Sequence, residues 1–342
     1  MADALLSPAV GAAFWAGALG TIAYCSKKLK DNLDEKLIPL MGVLGAFIFA
    51  AQMINFTIPA TGSSGHLGGG LILAIVLGPH AAFIVMASVL TVQTLFFADG
   101  GLLALGCNIW NLGIYPCFVA YPFIYRPLVR VGRSSGRALL ASAISGVVGL
   151  QLGSFSVVVQ TLLSGRSELP FSAFLLLMLP VHLAIGLVEG FVTAGVINFI
   201  RTARPEILEA ASSAHPLPAA LSIKKILAGL LIATAVTGGA LSWFASANPD
   251  GLEWSIQKIF GSQELPEAGS GVVPALKSIQ EKTALLPDYN FRKSDVQTNI
   301  GEESGPASNY GTSVSGITGA GLVLAAVLLI GLLIRTVRRK SS

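Results

Sequence analysis

Long runs without charged side chains dominate the pattern along this chain. No Asp, Glu, Lys or Arg occurs between Leu37 and Ala98, a run of 62 residues. As a helix rising about 1.5 Å per residue, such a run could cross a hydrocarbon layer of about 30 Å roughly three times. We expect it to turn at Gly78-Pro79, because proline restricts the residue before it and lacks an N–H donor. The pattern predicts an all-α polytopic membrane protein. The expected spans are 6–26, 37–56, 68–98 (counted twice), 102–125, 138–163, 171–200, 226–245 and 317–334.

Basic residues test this count of nine crossings. They form four clusters: Lys27, Lys28, Lys30 and Lys36; Arg126, Arg130, Arg133 and Arg137; Arg201, Arg204, Lys224 and Lys225; Arg335, Arg338, Arg339 and Lys340. With nine crossings and the N-terminus outside, all four clusters fall on the cytoplasmic side, as the positive-inside rule requires. The clusters hold 16 of the 22 basic residues. The net charge of +4 therefore reflects topology, and we expect no nucleic-acid partner.

Composition and motifs narrow the class of protein. Only 12% of the residues are charged, against about 25% in soluble proteins, which excludes an ordinary soluble enzyme. P-loop, HExxH and dinucleotide-binding motifs are absent from the sequence. We therefore expect no enzymatic activity, no ATP hydrolysis by this chain and no permanently bound cofactor. One rival remains, since His182 and Glu189 share a helix face and a membrane enzyme could use them for acid–base catalysis. The three cysteines lack metal-binding spacing and are interpreted as packing residues.

The spans divide the chain into two units. Residues 1–200 form a predicted seven-helix core, and the Ala/Ser/Pro-rich residues 201–225 form a cytoplasmic linker. In the second unit, 226–342, the last two spans bracket a polar extracytoplasmic segment, 247–316. Short helices are expected there at 254–260 and 273–285, and the Gly/Ser/Asn-rich stretch 301–315 is expected to be poorly ordered.

His66 is the strongest candidate for chemistry. It lies in a glycine-rich stretch, residues 61–70, at the outer end of the membrane, whereas His80 is placed at the inner face, His182 within a span and His215 in the linker. We therefore expect His66 to be the one histidine within reach of the outside. A metal ion needs further ligands, and the N-terminal amine of Met1, on the same side, could supply a second nitrogen. The alternative is a flexible turn that carries a surface histidine.

Small residues recur at four-residue spacing in two spans. Gly42, Ala46 and Ala50 form one ladder, and Ala12, Ala16 and Gly20 form another. Small residues at this spacing let helix backbones approach closely, within a protein or between subunits.

Several sequence blocks resemble the CbiM/NikM family, the substrate-binding membrane subunits of energy-coupling factor transporters for cobalt and nickel. The resemblance covers about residues 1–200, and a Pro249-Asp250-Gly251-Leu252-Glu253 block resembles the PDGLE-type (NikN-like) module fused to some members. The blocks in the core are Leu6-Ser7-Pro8-Ala9-Val10, Ile38-Pro39-Leu40-Met41-Gly42-Val43, Ala50-Ala51-Gln52-Met53-Ile54-Asn55-Phe56, Ser64-Gly65-His66-Leu67-Gly68-Gly69, Asp99-Gly100-Gly101-Leu102-Leu103-Ala104-Leu105-Gly106 and Val181-His182-Leu183-Ala184-Ile185-Gly186.

The resemblance implies a function and a set of partners. The chain would be the substrate-capture subunit of an ABC-type importer in a prokaryotic cytoplasmic membrane, binding Ni²⁺ or Co²⁺ outside. A CbiQ/NikQ-type coupling subunit and CbiO/NikO-type ATPases would drive uptake, and Gly42, Ala46 and Ala50 are the expected docking face by analogy. Nitrogen ligands and the fused module favour nickel slightly; cobalt uptake for cobalamin synthesis is the alternative.

The N-terminus departs from the family pattern. In the family, the metal is held by the N-terminal amine, the amide and imidazole of a histidine at the second position, and the histidine that matches His66. Here Ala2 follows Met1. Either Met1 is the family's third residue and the coding sequence begins with Met-His two codons upstream, or the site is degraded. We favour the first explanation because the other blocks are intact.

Overall fold

The computed structural model describes residues 1–32, 34–130, 135–165, 169–213, 215–218, 221–263, 265, 271–292 and 306–341, which are almost entirely helical. The helices are α1 (Pro8–Asn32), α2 (Leu37–Gln52), α3 (Gly70–Leu77), α4 (Pro79–Phe97), α5 (Leu105–Ile109), α6 (Arg126–Arg130), α7 (Ser135–Ser164), α8 (Phe171–Ala203), α9 (Pro205–Ser213), α10 (Lys224–Gly239), α11 (Gly251–Phe260), α12 (Val272–Thr283) and α13 (Pro306–Ser341). A π-helical stretch, Trp110–Tyr125, joins α5 to α6, and 3₁₀ turns occur at Asp3–Leu5, Leu241–Phe244 and Pro287–Tyr289. A short antiparallel hairpin pairs β1 (Phe56–Ile58) with β2 (Ser63–Gly65).

The prediction of an all-α polytopic membrane protein is confirmed. Among the residues that the structure describes, five helices are long and apolar enough to cross a membrane: Pro8–Asp31, Pro79–Phe97, Gly136–Ser164, Phe171–Ala203 and Tyr310–Arg339. The turn expected at Gly78-Pro79 is present, since α3 ends at Leu77 and α4 begins at Pro79. Gly78 has a φ of 79°, a conformation that glycine adopts without strain.

Helix α2 lies at the centre of the fold. It is buried from Leu40 to Gln52, as expected for a helix that is apolar on all sides. Helix α13 packs across it so closely that a Cβ on Gly42 would lie 2.9 Å from Leu324 Cδ1, and one on Gly45 would lie 3.0 Å from Val323 Cγ1. The last helix of the chain is therefore part of the packing around α2.

This packing corrects the expected docking face. Ala46 and Ala50 are 1% and 0% exposed, and Gly42 contacts α13. The expectation that this ladder is open to a partner subunit is wrong, because the chain's own last helix covers it. The other ladder differs: Ala12, Ala16 and Gly20 are exposed on α1.

Because one small-residue ladder is buried and the other is exposed, the same Ala-to-Leu substitution is expected to affect the stability differently in the two ladders. Replacing Ala46 with Leu is expected to destabilise the protein by about 1–3 kcal/mol, because the extra methylenes have no space between α2 and α13. Replacing the exposed Ala16 with Leu is expected to change the stability by less than about 0.5 kcal/mol. Thermal unfolding of both variants in the same detergent measures the difference. Equal stability would mean that α13 does not pack on α2.

Contacts at one end of the helix bundle join the segments that carry the basic clusters. Glu35 forms ion pairs with Arg335 (2.8 Å) and Arg339 (3.0 Å) near the end of α13. Lys36 and Arg126 each donate to a backbone carbonyl of the segment 212–218. All four clusters therefore have members or neighbours at the same end.

The polar segment after α10 contains both expected short helices, as α11 and α12. The prediction that the last part of this segment, residues 301–315, is poorly ordered is only partly comparable with the structure. Residues 301–305 lie outside the described residues, but α13 begins at Pro306, so residues 306–315 are helical and the expectation of poor order is wrong for them.

Helices α7 and α8 pack closely through glycines. This packing fixes α8, which carries His182 and Glu189, relative to the rest of the bundle. A Cβ on Gly146 would lie 2.9 Å from Gly186 O and 3.1 Å from Gly190 N. Gly186 and Gly190 are four residues apart, the spacing at which small residues let membrane helices approach.

Candidate metal site

Buried polar side chains hold the loop that carries His66. This loop, residues 66–69, runs from β2 to the start of α3. Gly68 N donates to Glu189 Oε2 (2.8 Å), and Gln52 Nε2 donates to Gly68 O (2.8 Å). Gln93 Nε2 in turn donates to Gln52 Oε1 (2.9 Å). Both backbone hydrogen-bonding groups of Gly68 are thus held by side chains buried in the bundle, which sets the position of the nearby His66.

The glycines of this loop are needed where it enters α3. Gly69 has a φ of 77°, in the left-handed region that favours glycine. A Cβ on Gly70 would lie 2.6 Å from Leu112 O. The loop can therefore pack directly against the π-helical stretch.

The N-terminal segment is fixed near the same end. Gly101 N donates to Met1 O (3.1 Å), and Ala104 N donates to Asp3 Oδ1 (2.9 Å). Leu5 and Leu6, in and after the first 3₁₀ turn, are fully buried. The block from Asp99 to Gly106 thus serves as the seat of the first residues of the chain.

A cavity of about 130 Å³ brings the two predicted site residues together. Met1 and His66 both line it. His182 from α8, Asn108 from α5 and Asp250 from the segment before α11 line the same cavity. The predicted pairing of the chain start with His66 is thus possible, in a cavity with more polar groups than the sequence indicated.

Hydrogen bonds fix the tautomers of both imidazoles. His66 Nδ1 lies 3.0 Å from Leu67 O, and His182 Nδ1 lies 2.8 Å from Met178 O. A carbonyl oxygen can only accept, so Nδ1 carries the hydrogen in each ring. In a neutral imidazole the lone pair is then on Nε2, the atom available to a metal ion.

The position of His182 corrects an expectation. His66 was expected to be the one histidine within reach of the outside, but His182 lines the same cavity. The rival hypothesis paired His182 with Glu189. His182 and Glu189 are seven residues apart on α8, but they have different hydrogen-bond partners in the structure. His182 Nδ1 bonds to Met178 O, and Glu189 Oε2 accepts from Gly68 N. Each residue therefore contributes to the site separately.

Glu253 on α11 is a neighbour of the cavity-lining Asp250; it does not line the cavity itself and is outside the membrane-spanning segments. Burial and the neighbouring Asp250 raise the pKa of the Glu253 carboxyl, whereas the amino terminus lowers it. The amino terminus therefore lies close enough to α11 to affect its charges.

The cavity offers a nitrogen-rich but incomplete ligand set. Met1 and the imidazoles of His66 and His182 line it, and amine and imidazole nitrogens suit late first-row divalent ions. No group of three His, Cys, Asp or Glu side chains able to hold a metal ion occurs among the residues that the structure describes. A metal ion here would therefore depend on the chain's amine. The cysteines do not contribute, because Cys25, Cys107 and Cys117 are free and buried.

These features define a class: a helical membrane protein with a nitrogen-lined cavity at one end of the bundle, suited to a transition-metal ion. Comparison with known families agrees. The sequence model of the family described as "Cobalt uptake substrate-specific transmembrane region" (CbiM) matches residues 1–207, and that of the PDGLE domain matches residues 224–336. The chain belongs to the CbiM family and carries a PDGLE domain after it.

Relatives with assigned names are metal transport proteins. A putative fused nickel transport protein, NikMN, from Archaeoglobus fulgidus is 32% identical over 323 residues, covering 94% of this chain and 95% of the relative. A cobalt transport protein, CbiM, from Sorangium cellulosum is 30% identical over 205 residues, covering 58% of this chain and 89% of the relative. A crystal structure of a transition metal transporter matches with a TM-score of 0.53 and 30% identity, covering 60% of this chain and 94% of that chain.

Proposed function

We propose that this chain is the substrate-capture subunit of an energy-coupling factor importer and binds Ni²⁺ or Co²⁺ in the cavity lined by Met1, His66 and His182. The observation that carries the proposal is that Met1 and the imidazoles of His66 and His182 line one cavity, with each Nδ1 hydrogen-bonded to a backbone carbonyl. The amine and imidazole nitrogens suit nickel, which we favour over cobalt.

The location and partners follow from the same proposal. The cavity opens to the outside of a prokaryotic cytoplasmic membrane, and the end with the basic clusters faces the cytoplasm, in agreement with the positive-inside rule. A coupling transmembrane subunit of the CbiQ/NikQ type and ATPases of the CbiO/NikO type supply the energy, since this sequence contains no P-loop. With the α2 ladder covered by α13, the exposed ladder on α1 is the small-residue face left for the coupling subunit.

The start of the chain is part of the proposal. Met1 lines the cavity, so a Met-His dipeptide placed before it would move the amine to the new first residue and add amide nitrogens and an imidazole near the other nitrogens. A chain extended by Met-His is expected to bind Ni²⁺ more tightly than the chain that begins at Met1.

The pH dependence of metal binding tests the function. Metal ions displace protons from amine and imidazole ligands, so affinity falls as the pH falls. Because such groups take up protons between about pH 6 and 8, we expect at least a roughly 10-fold loss of affinity for each pH unit below 7. Isothermal titration of the purified full chain, tagged at its C-terminus, with NiCl₂ and CoCl₂ at pH 6, 7 and 8 measures this. Absence of binding of both ions at pH 8, to the chain with and without Met-His, would refute the proposed function.

A further inference from the structure

The PDGLE domain contributes a wall of the metal cavity. Its segment before α11 is fastened to the hairpin strand that leads to His66. Ser64 N donates to Pro249 O (2.7 Å), and Ser64 Oγ donates to Asn248 O (2.8 Å). Ser64 is fully buried. Asp250 therefore has a fixed position relative to His66.

Helix α11 also packs directly on His182. A Cβ on Gly251 would lie 2.7 Å from Val181 Cγ1 and 3.2 Å from His182 Cε1. Only glycine at this position lets the start of α11 come this close to the ring. The segment that carries Asp250 is thus joined to both histidines of the cavity: to His66 through the hairpin, and to His182 through Gly251.

The carboxylate of Asp250 has a structural role through one of its oxygens. Oδ1 accepts from Leu252 N and Glu253 N, both at 2.8 Å, and Glu253 Oε2 accepts from Asp250 N (3.1 Å). This is a capping box, which satisfies the first amides of α11. Within the described part of the chain, no group donates to Oδ2, and Asp250 lines the cavity.

The charge of this carboxylate matters because of what surrounds it. The first residues of α11 line the cavity, and the N-terminus of a helix carries a partial positive charge. A divalent cation in the cavity would be repelled by it, and neutral imidazoles and a neutral amine offer no opposing charge. Asp250 lines the cavity and Glu253 does not, so Asp250 is the carboxylate of α11's capping box that faces the ion.

We propose that Asp250 supplies the negative charge that stabilises the divalent metal ion in this cavity, separately from its capping of α11. This inference rests on the proposed function. It gives the PDGLE domain a direct part in substrate binding: the domain covers the cavity and brings one charge-supplying residue to it.

Replacing Asp250 with Asn separates the two roles. Asparagine caps helices about as well as aspartate but carries no charge. We expect Asp250→Asn to leave the unfolding temperature close to that of the parent and to weaken Ni²⁺ and Co²⁺ binding by about 10- to 100-fold, the usual range for groups that support a metal site. Metal titration of the chain in detergent measures the affinity, and thermal unfolding in the same detergent measures the unfolding temperature. Asp250→Ser, which also retains a cap, serves if the Asn variant does not fold.

Glu253→Gln is the matched control, because glutamine can keep the capping-box bond while one nearby charge is lost. It is expected to bind both ions within about 3-fold of the parent. Parent-like binding by Asp250→Asn, with binding abolished in His66→Ala, would overturn the inference and leave the proposed function standing. Equal losses in Asp250→Asn and Glu253→Gln would also overturn it, because the effect would then be general. Absence of binding by the parent chain would refute the proposed function and this inference with it.

Discussion

Replacing His66 with Ala is expected to lower the affinity for Ni²⁺ and Co²⁺ by about 100-fold or more. Apparent binding free energies of about 10–16 kcal/mol for four-ligand metal sites correspond to roughly 3 kcal/mol per ligand, or about 100-fold. The variant should fold, because the loop is held through the backbone of Gly68 and not through the imidazole. Isothermal titration with NiCl₂ and CoCl₂, beside a thermal unfolding curve, measures both effects.

His182→Ala should show a loss of the same order, since this ring lines the same cavity with Nε2 free. His215→Ala is the matched control, because His215 is exposed in the linker. Parent-like binding by His182→Ala would remove that residue from the ligand set. Parent-like binding by His66→Ala would remove the metal site itself from this cavity.

The architecture was predictable where it depends on local pattern. The charge-free run from Leu37 to Ala98 predicted the membrane class, and Gly78-Pro79 predicted the break between α3 and α4. Both depend on properties of neighbouring residues. The ladder of Gly42, Ala46 and Ala50 predicted close packing but not its partner, because small residues allow close approach by any helix. The actual partner, α13, lies almost 300 residues further along the chain.

The candidate site was predictable in part. Met1 and His66 followed from the topology and the glycine-rich stretch. His182 was missed because a position 11 residues into α8, about 17 Å along the helix, was assumed to be closed to the outside. Met178, His182 and Ile185 are spaced so that they share one face of α8, and all three line the cavity. A histidine on the same helix face as two apolar residues was therefore the feature of the sequence that could have indicated His182 as a site residue. The contact between the segment before α11 and the hairpin that leads to His66 joins residues 184 apart, and no local pattern encodes it.

Replacing Gly101 with Ala is expected to release the start of the chain from the cavity. A methyl group there would overlap Oδ1 and Cγ of Asp3 and would lie 2.7 Å from Asp3 N. Because the clash includes backbone, a change of the Asp3 rotamer cannot relieve it. The bonds from Gly101 N to Met1 O and from Ala104 N to Asp3 Oδ1 should both weaken, and the amine of Met1 should leave the cavity. The loss of one ligand again corresponds to about 100-fold in affinity.

Two measurements on Gly101→Ala separate the position of the amine from its role. Metal titration gives the affinity, and the rate of labelling by an amine-selective reagent near pH 7, where α-amino groups react ahead of lysines, gives the exposure of the N-terminus. Gly20→Ala is the control, since a Cβ on Gly20 meets no described atom within 4 Å. Unchanged labelling would show that Gly101 does not hold the N-terminal segment. Faster labelling with unchanged affinity would show that the amine is held beside the cavity but is not a ligand, which would contradict its part in the proposed site.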